Sequence, residues 1–456
     1  MSKRILAVLL LCGLCSSLCA CTAVRQSPPP APTKPPARQE LIPAKPTSQT
    51  PEQAAADPTP VAPQPSMDTE KDPAPSPDLV VDYIGPDGRD SRLTMMEQQS
   101  ILQKASSLVD LAYKNENIMV SPLSIFMAMG MAADGADSET KEDFESFLGM
   151  STDEFDARMK AILTNLSEKN MTKLEIANGI WVKEGAARVS PEYQSAVEAF
   201  YLGKIQEAKM DASTVGEING WVAEKTHDMI PSIISNLSPD VISVLVNALY
   251  FDAPWFEPYD EYSVSDGTFH GFDEDVTASF MASTEGCYME NDHAVAFEKS
   301  YYDGYSFIGI LPKEEGEFDL QKLDLDSLLA SQSYDYDVHI KLPKFEFESS
   351  MELSSLMKEM GLRLPFSDAA DFSRMFSSLS ETVKISQILH KTKIEVTETG
   401  TKAAAATAIS METCGIELEV PEEKEVFLDR PFAFVIMDTM DQDNPIPLFV
   451  GKVTTV

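Results

Sequence analysis

Gly400-Thr401-Lys402-Ala403-Ala404-Ala405-Ala406-Thr407-Ala408-Ile409-Ser410-Met411-Glu412 is the stretch on which the fold turns. Side chains of a strand alternate between its two faces. Written as a strand, one face receives Thr401, Ala403, Ala405, Thr407, Ile409 and Met411. It carries no charge and grows larger along the chain. The other face receives Lys402, Ala404, Ala406, Ala408, Ser410 and Glu412, and so both charges. Such a segment can bury one face and solvate the other. Ala403, Ala404, Ala405 and Ala406 are small enough to slide between strands already in place, and Gly400 supplies backbone freedom at the base. Alanine prefers helix to strand, so local propensity opposes this reading. An Ala-rich loop or helix start is the plain alternative. A segment in that conflict becomes a strand only if tertiary pairing drives it.

Outward from it, strand and helix patterns mix without regular βαβ alternation, which points to an α+β fold. Apolar residues at helical spacing predict a helix over 95–113. Ser121-Pro122-Leu123-Ser124 opens a second apolar helix through Ala133. Ser151 and Glu154 have capping-box spacing. Strands are predicted at 241–251, 338–347, 383–396, 432–437 and 447–456. No internal repeat is visible.

The chain begins differently. Lys3-Arg4 precedes a ten-residue apolar run, Ile5 to Leu14, too short to span a bilayer. Leu18-Cys19-Ala20-Cys21 then resembles the lipobox of bacterial lipoproteins. The resemblance implies a signal peptide over 1–20 and lipidation of Cys21. The alternative is an ordinary secretory signal cleaved nearby. Residues 21–77 hold 16 of the 30 prolines, and almost nothing there can be buried. They read as a polyproline-rich, semi-rigid stretch extending on the order of 170 Å at full reach, within a tether over 21–90. An inert spacer fits equally. The domain proper is 91–456. The expected place is the cell envelope, lipid-anchored at the outer membrane or cell surface. After the signal, only Cys287 and Cys414 remain besides Cys21, which is no disulfide framework.

Lys and Arg number 36 against 73 Asp and Glu, a formal net charge of −37. That balance excludes a nucleic-acid partner, which needs a basic footprint, and a basic patch on anionic lipid. The five histidines lack metal-ligand spacing, so no metal and no cofactor is expected. No GxSxG or GxxxxGK[ST] motif is present, and paired acids such as Glu422-Glu423 are ordinary solvated surface in so acidic a chain. An enzyme is not expected.

Several segments, in order, resemble one family. They are Asn117-Ile-Met-Val-Ser-Pro-Leu-Ser-Ile125, Val246-Asn-Ala-Leu-Tyr-Phe251 with Trp255 four residues on, Lys341-Leu-Pro-Lys-Phe345, His390-Lys391, Gly400-Thr-Lys-Ala-Ala-Ala-Ala-Thr407, Asp429-Arg-Pro-Phe-Ala-Phe434 and Phe449-Val-Gly-Lys-Val453. Each is weak alone. Together, with order and spacing kept from about residue 95 to the end, they resemble the serpins, the serine protease inhibitor family. The resemblance implies three β-sheets, eight to nine helices and an exposed reactive-centre loop. It also implies a function: a protease cleaves the loop, and the loop inserts into the central sheet and traps the acyl-enzyme. The partner would be a target endopeptidase in covalent complex with a monomeric inhibitor. By the same resemblance Gly400, Thr401, Ala403, Ala404, Ala405 and Ala406 form the loop hinge. Ser121, Ser124, Asn247 and His390 form the "shutter" beneath the sheet, and Trp255 marks the "breach" where the loop enters. Lys402 departs from the acidic residue common in the family, but it falls on the solvent face.

The bait bond is read by family spacing. Counting from Gly400 gives Cys414–Gly415; counting back from Pro431 points near Val420. Met411, Thr413 and Leu418 stay open. Cys414 is small and uncharged, which suits an elastase-like or subtilisin-like pocket. No Arg or Lys occurs from Ala403 to Glu423, which speaks against trypsin-like targets; a papain-like cysteine protease remains open. The competing reading is a non-inhibitory surface protein of the same fold that binds a ligand or partner.

Overall fold

The structure, a computed structural model, describes residues 92–167, 169, 171–238, 240–380, 382–401, 421–441 and 445–456. Cys21, Ala403, Ala404, Ala405, Ala406, Met411, Thr413, Cys414, Gly415 and Leu418 lie outside the described residues. The helices among the described residues are α1 (Met95–Ala112), α2 (Pro122–Gly135), α3 (Ser138–Leu148), α4 (Thr152–Ser167), α5 (Pro191–Tyr201), α6 (Ala212–Lys225), α7 (Leu325–Leu329) and α8 (Ser354–Glu359). The strands are β1 (Ile118–Val120), β2 (Lys173–Lys183), β3 (Ala187–Val189), β4 (Lys204–Ala208), β5 (Ser243–Pro254), β6 (Val264–His270), β7 (Asp275–Glu285), β8 (Cys287–Glu290) and β9 (Ala294–Ser300). They continue as β10 (Tyr305–Pro312), β11 (Tyr336–Pro343), β12 (Phe345–Glu352), β13 (Phe376–Leu379), β14 (Gln387–Thr397), β15 (Gly400–Thr401), β16 (Glu422–Phe427), β17 (Phe432–Asp438) and β18 (Ile446–Val453).

They form three large sheets, as expected, and one small ribbon. The central sheet runs β12-β14-β15-β5-β2-β4. A second six-stranded sheet runs β1-β18-β17-β10-β9-β8, a four-stranded sheet β16-β11-β7-β6, and β13 pairs β3.

The central sheet is buried on both faces over β2 and β5, and alternation sorts the side chains. Ile176, Ile180, Leu245 and Leu249 join the main core with α2. Ala177, Trp181, Val244, Val246 and Ala248 pack with Ile218 and Val222 of α6 instead. Double coverage explains why these strands read as continuous apolar runs rather than alternating ones.

Helix α2 is apolar on almost every side because almost every residue in it is buried. Its start is fixed locally. Ser121 is the N-cap, accepting from the Ser124 amide at 3.3 Å, and Pro122 occupies the first turn, where a missing N–H costs nothing. A Cβ on Gly130 would meet the Phe155 ring at 2.3 Å, so only glycine lets α4 approach this closely. Helix α1 starts on a Thr94–Glu97 capping box, and the expected Ser151–Glu154 box is formed in both directions.

Two strand expectations need correction. The run 338–347 is two strands, because the chain leaves the four-stranded sheet after Pro343 and joins the central sheet at Phe345; the Lys344 amide donates to Ser279 between them. The run 383–396 becomes a strand only at Gln387. Val383 and Ile385 are buried, but the backbone there bonds outside the ladder, with the Ile385 amide on the Pro365 carbonyl. The residues were apolar for burial, not for strand pairing.

Candidate functional site

Strand β14 climbs the central sheet parallel to β5, with Gln387–Thr392 paired to Val244–Leu249. Above that point the two separate and β15 occupies the gap. Thr401 pairs with Val396 on one side and Ala253 on the other; Gly400 pairs with Thr397 and Pro254; all these pairings are antiparallel. The chain therefore rises on β14, reverses, and starts back down between β14 and β5. Gly400 makes the reversal with φ at +146°, where a side chain would be strained. Thr401 is 2% exposed and faces the α2 side of the sheet with Val396 and Ala253. Gly400 and Thr401, the first two residues the resemblance assigned to the hinge, are thus strand.

The reversal is held from above. Trp255 is fully buried; its amide donates to the Thr399 carbonyl at 3.1 Å and its indole N–H to the Thr397 carbonyl at 2.9 Å. The Tyr259 amide donates to the Glu398 carbonyl at 2.9 Å, and Lys344 Nζ lies 2.6 Å from Glu398. Tyr301 stacks on Trp255 with centroids 4.1 Å apart and planes at 8°. Buried Lys299 pairs with half-buried Glu285 at 2.8 Å, its ammonium 4.4 Å from the Tyr259 ring centroid.

Lower in the sheet, one register row carries three polar side chains: Asn178 on β2, Asn247 on β5 and His390 on β14. All three are fully buried on the α2 face. Their protons can be assigned. His390 Nε2 accepts from the Ser121 amide at 3.1 Å, so the ring proton sits on Nδ1 and is donated to Asn247 Oδ1 at 2.5 Å. Asn247 Nδ2, with two protons for three acceptors, lies 2.6 Å from each of the Ser124 carbonyl, Ser124 Oγ and Asn178 Oδ1. Ser121, Ser124, Asn247 and His390 are brought together, and one hydrogen bond of the set, His390 to Asn247, spans the seam between β14 and β5. Burial pushes the His390 imidazole down to about 3. An imidazolium could not accept from Ser121.

That shift has a sign. The unfolded chain binds a proton on His390 near 6.5, and the folded chain refuses it until about 3. The contribution to stability is complete above 6.5 and is lost as pH falls from there towards 3, at about 1.4 kcal/mol per unit. Between pH 7 and 5 this group alone should cost about 2 kcal/mol. Unfolding midpoints at the two pH values check it: His390→Gln should lower the pH 7 midpoint and flatten the dependence. An equally steep acid loss in the variant would remove His390 as its source.

Sequence reasoning missed Asn178 and Tyr301. Asn178 had a signal, a lone amide inside the apolar run 176–182. Tyr301 had none, because its partner is a hundred residues away. Cys287 is a buried thiol whose pKa is pushed up to about 12, with burial the main cause, so it is not a reactive nucleophile.

A sheet opened at one end by its own returning chain and closed below by a polar row is an arrangement in which a further strand could form. Residues 100–456 match the family described as serpin (serine protease inhibitor). An uncharacterised serpin-like protein of Thermococcus kodakarensis is 34% identical over 358 residues, spanning 75% of this chain and 82% of that one. Serpin-ZX of Arabidopsis thaliana is 29% identical, over 78% and 97%. The native-state crystal structure of tengpin, a thermophilic serpin, superposes with a TM-score of 0.70 at 33% identity, covering 79% of this chain and 95% of that one. The chain belongs to the serpin family.

Proposed function

We propose that the chain is a suicide-substrate inhibitor of serine endopeptidases with elastase-like or subtilisin-like preference, cysteine endopeptidases being a secondary target class. One observation carries this reading: β15 already lies between β14 and β5, running in the direction a longer inserted strand would take. Two residues further on β15 would face two residues back on each neighbour. Extended in that register, Ala403 and Ala405 fall on the buried face, and Thr407 falls between His390 and Asn247. Insertion would break the His390–Asn247 bond and offer a hydroxyl in its place. Lys402 falls on the opposite face.

In the proposed cycle the protease nucleophile forms an ester or thioester with the carbonyl of the bait residue, Cys414 by hinge counting, and the amine of Gly415 leaves. The strand then lengthens and carries the acyl-enzyme with it before water can hydrolyse the bond. The chain is a binding partner of proteases in this reading and turns over no substrate.

The experiment mixes the full-length chain with elastase, subtilisin, trypsin and papain. A denaturing gel should show a covalent complex with elastase or subtilisin and none with trypsin, and the released C-terminal peptide identifies the bait bond. Cleavage without any complex across the panel would favour the non-inhibitory surface protein. We also place the chain in the cell envelope as a lipid-anchored monomer, a reading supported by the lipobox at Cys21 and the proline-rich stretch behind it. Cys21→Ser should move the protein from the detergent phase to the aqueous phase; unchanged partitioning would remove the anchor.

A further inference from the structure

The hydroxyls of Tyr301 and Thr401 lie 2.6 Å apart, and both residues are 2% exposed. This contact joins the second six-stranded sheet's side of the molecule to the first inserted residue of the hinge. The Tyr301 ring cannot easily give way. It stacks on Trp255, meets Phe251 edge-on at 5.5 Å, and its amide donates to the Tyr305 carbonyl at 2.8 Å. Trp255 is itself fastened to the carbonyls of Thr397 and Thr399. The hydroxyl of Tyr301 is therefore a fixed point, and Thr401 is the movable element held against it.

We propose that Tyr301 is a positioning residue for the hinge. Resting on the inhibitory reading, its hydroxyl holds Thr401 at one depth between β14 and β5 before cleavage, and so sets the fraction of cleavage events that end in insertion rather than hydrolysis. The physical basis is the asymmetry of buried hydrogen bonds. A lone buried hydroxyl is costly, whereas replacing both partners by apolar groups of similar shape is nearly neutral. Tyr301→Phe strands the Thr401 hydroxyl inside the sheet, and the hinge escapes by withdrawing from it. The strand must then re-enter after cleavage while deacylation competes.

Two readouts separate this inference from the reading beneath it. The first is amide hydrogen exchange of peptides covering 396–401 in the uncleaved full-length chain, which needs no protease. Tyr301→Phe should accelerate exchange there about tenfold, and Tyr301→Phe with Thr401→Val should return it to within about twofold of wild type. The second is the number of inhibitor molecules consumed per protease trapped. It should rise about three- to tenfold in Tyr301→Phe and in Thr401→Val, and return in the double variant. Unchanged exchange in Tyr301→Phe, or a double variant worse than either single one, overturns the positioning role. Failure of the wild-type chain to trap any protease, with the exchange pattern as expected, overturns the inhibitory reading and leaves Tyr301 as the holder of the hinge alone.

Discussion

On the proposed function, Thr401→Arg is expected to turn the chain from inhibitor into substrate. The loop should still be cut, because the bait bond is untouched, but the covalent complex should fall more than a hundredfold. Position 401 sits between Val396 and Ala253 on the core face of the central sheet, 2% exposed, its hydroxyl bonded to that of Tyr301. An arginine there has two choices. It buries an unpaired charge, at a cost of several kcal/mol, or it leaves the sheet and takes the hinge with it. A penalty of about 3 kcal/mol on insertion alone shifts its competition with hydrolysis by about two orders of magnitude. Thr401→Ser keeps the hydroxyl and should trap almost as well. Gel quantification of complex against cleaved inhibitor reads both variants. Retained trapping in Thr401→Arg would refute the facing of the strand.

Cleavage of the loop without protease trapping should raise the melting temperature by roughly 20 °C. The intact chain keeps β14 and β5 paired only over Gln387–Thr392, with two residues of β15 above them. A strand of about ten residues laid between them would bond to both neighbours. At about 1 kcal/mol per ladder bond, and after the direct pairs and the His390–Asn247 bond are broken, the net gain is on the order of 10 kcal/mol. For a domain of this size that is about 2 °C per kcal/mol. A differential scan before and after nicking with a protease that cuts the loop without being held measures it. An unchanged midpoint would mean that no strand forms.

How much of this was legible beforehand depended on the range of the interaction. The alternation from Thr401 onward placed Thr401 on an apolar face, and the structure buries it, because strand period is local. The helix start at Ser121–Ser124 and the 151–154 box were legible for the same reason. The segment 338–347 was read as one strand because apolar residues recur along it, at Val338, Ile340, Leu342, Phe345 and Phe347. The switch between sheets at Lys344 is set by what lies on either side, which the segment itself does not encode. Apart from 241–251, which is β5, the strands between 173 and 312 were not read, because double-sided burial and sheet edges blur their period. In the site, the described residues named by family resemblance fall into two groups around Asn247 and around Trp255. Asn178 was visible as a polar interruption. The Tyr301–Thr401 contact, the Lys299–Glu285 pair and the Lys344–Glu398 pair join residues far apart in sequence, and their meaning exists only once the sheets are stacked.

The most direct test of the insertion account is a crystal structure of the loop-cleaved chain. In that structure β14 and β5 should no longer touch, a strand should continue from Thr401 down the whole gap with Thr407 between His390 and Asn247, and Lys402 should face outward. A cleaved form in which Gln387–Thr392 still pairs with Val244–Leu249, and His390 still donates to Asn247, would contradict it.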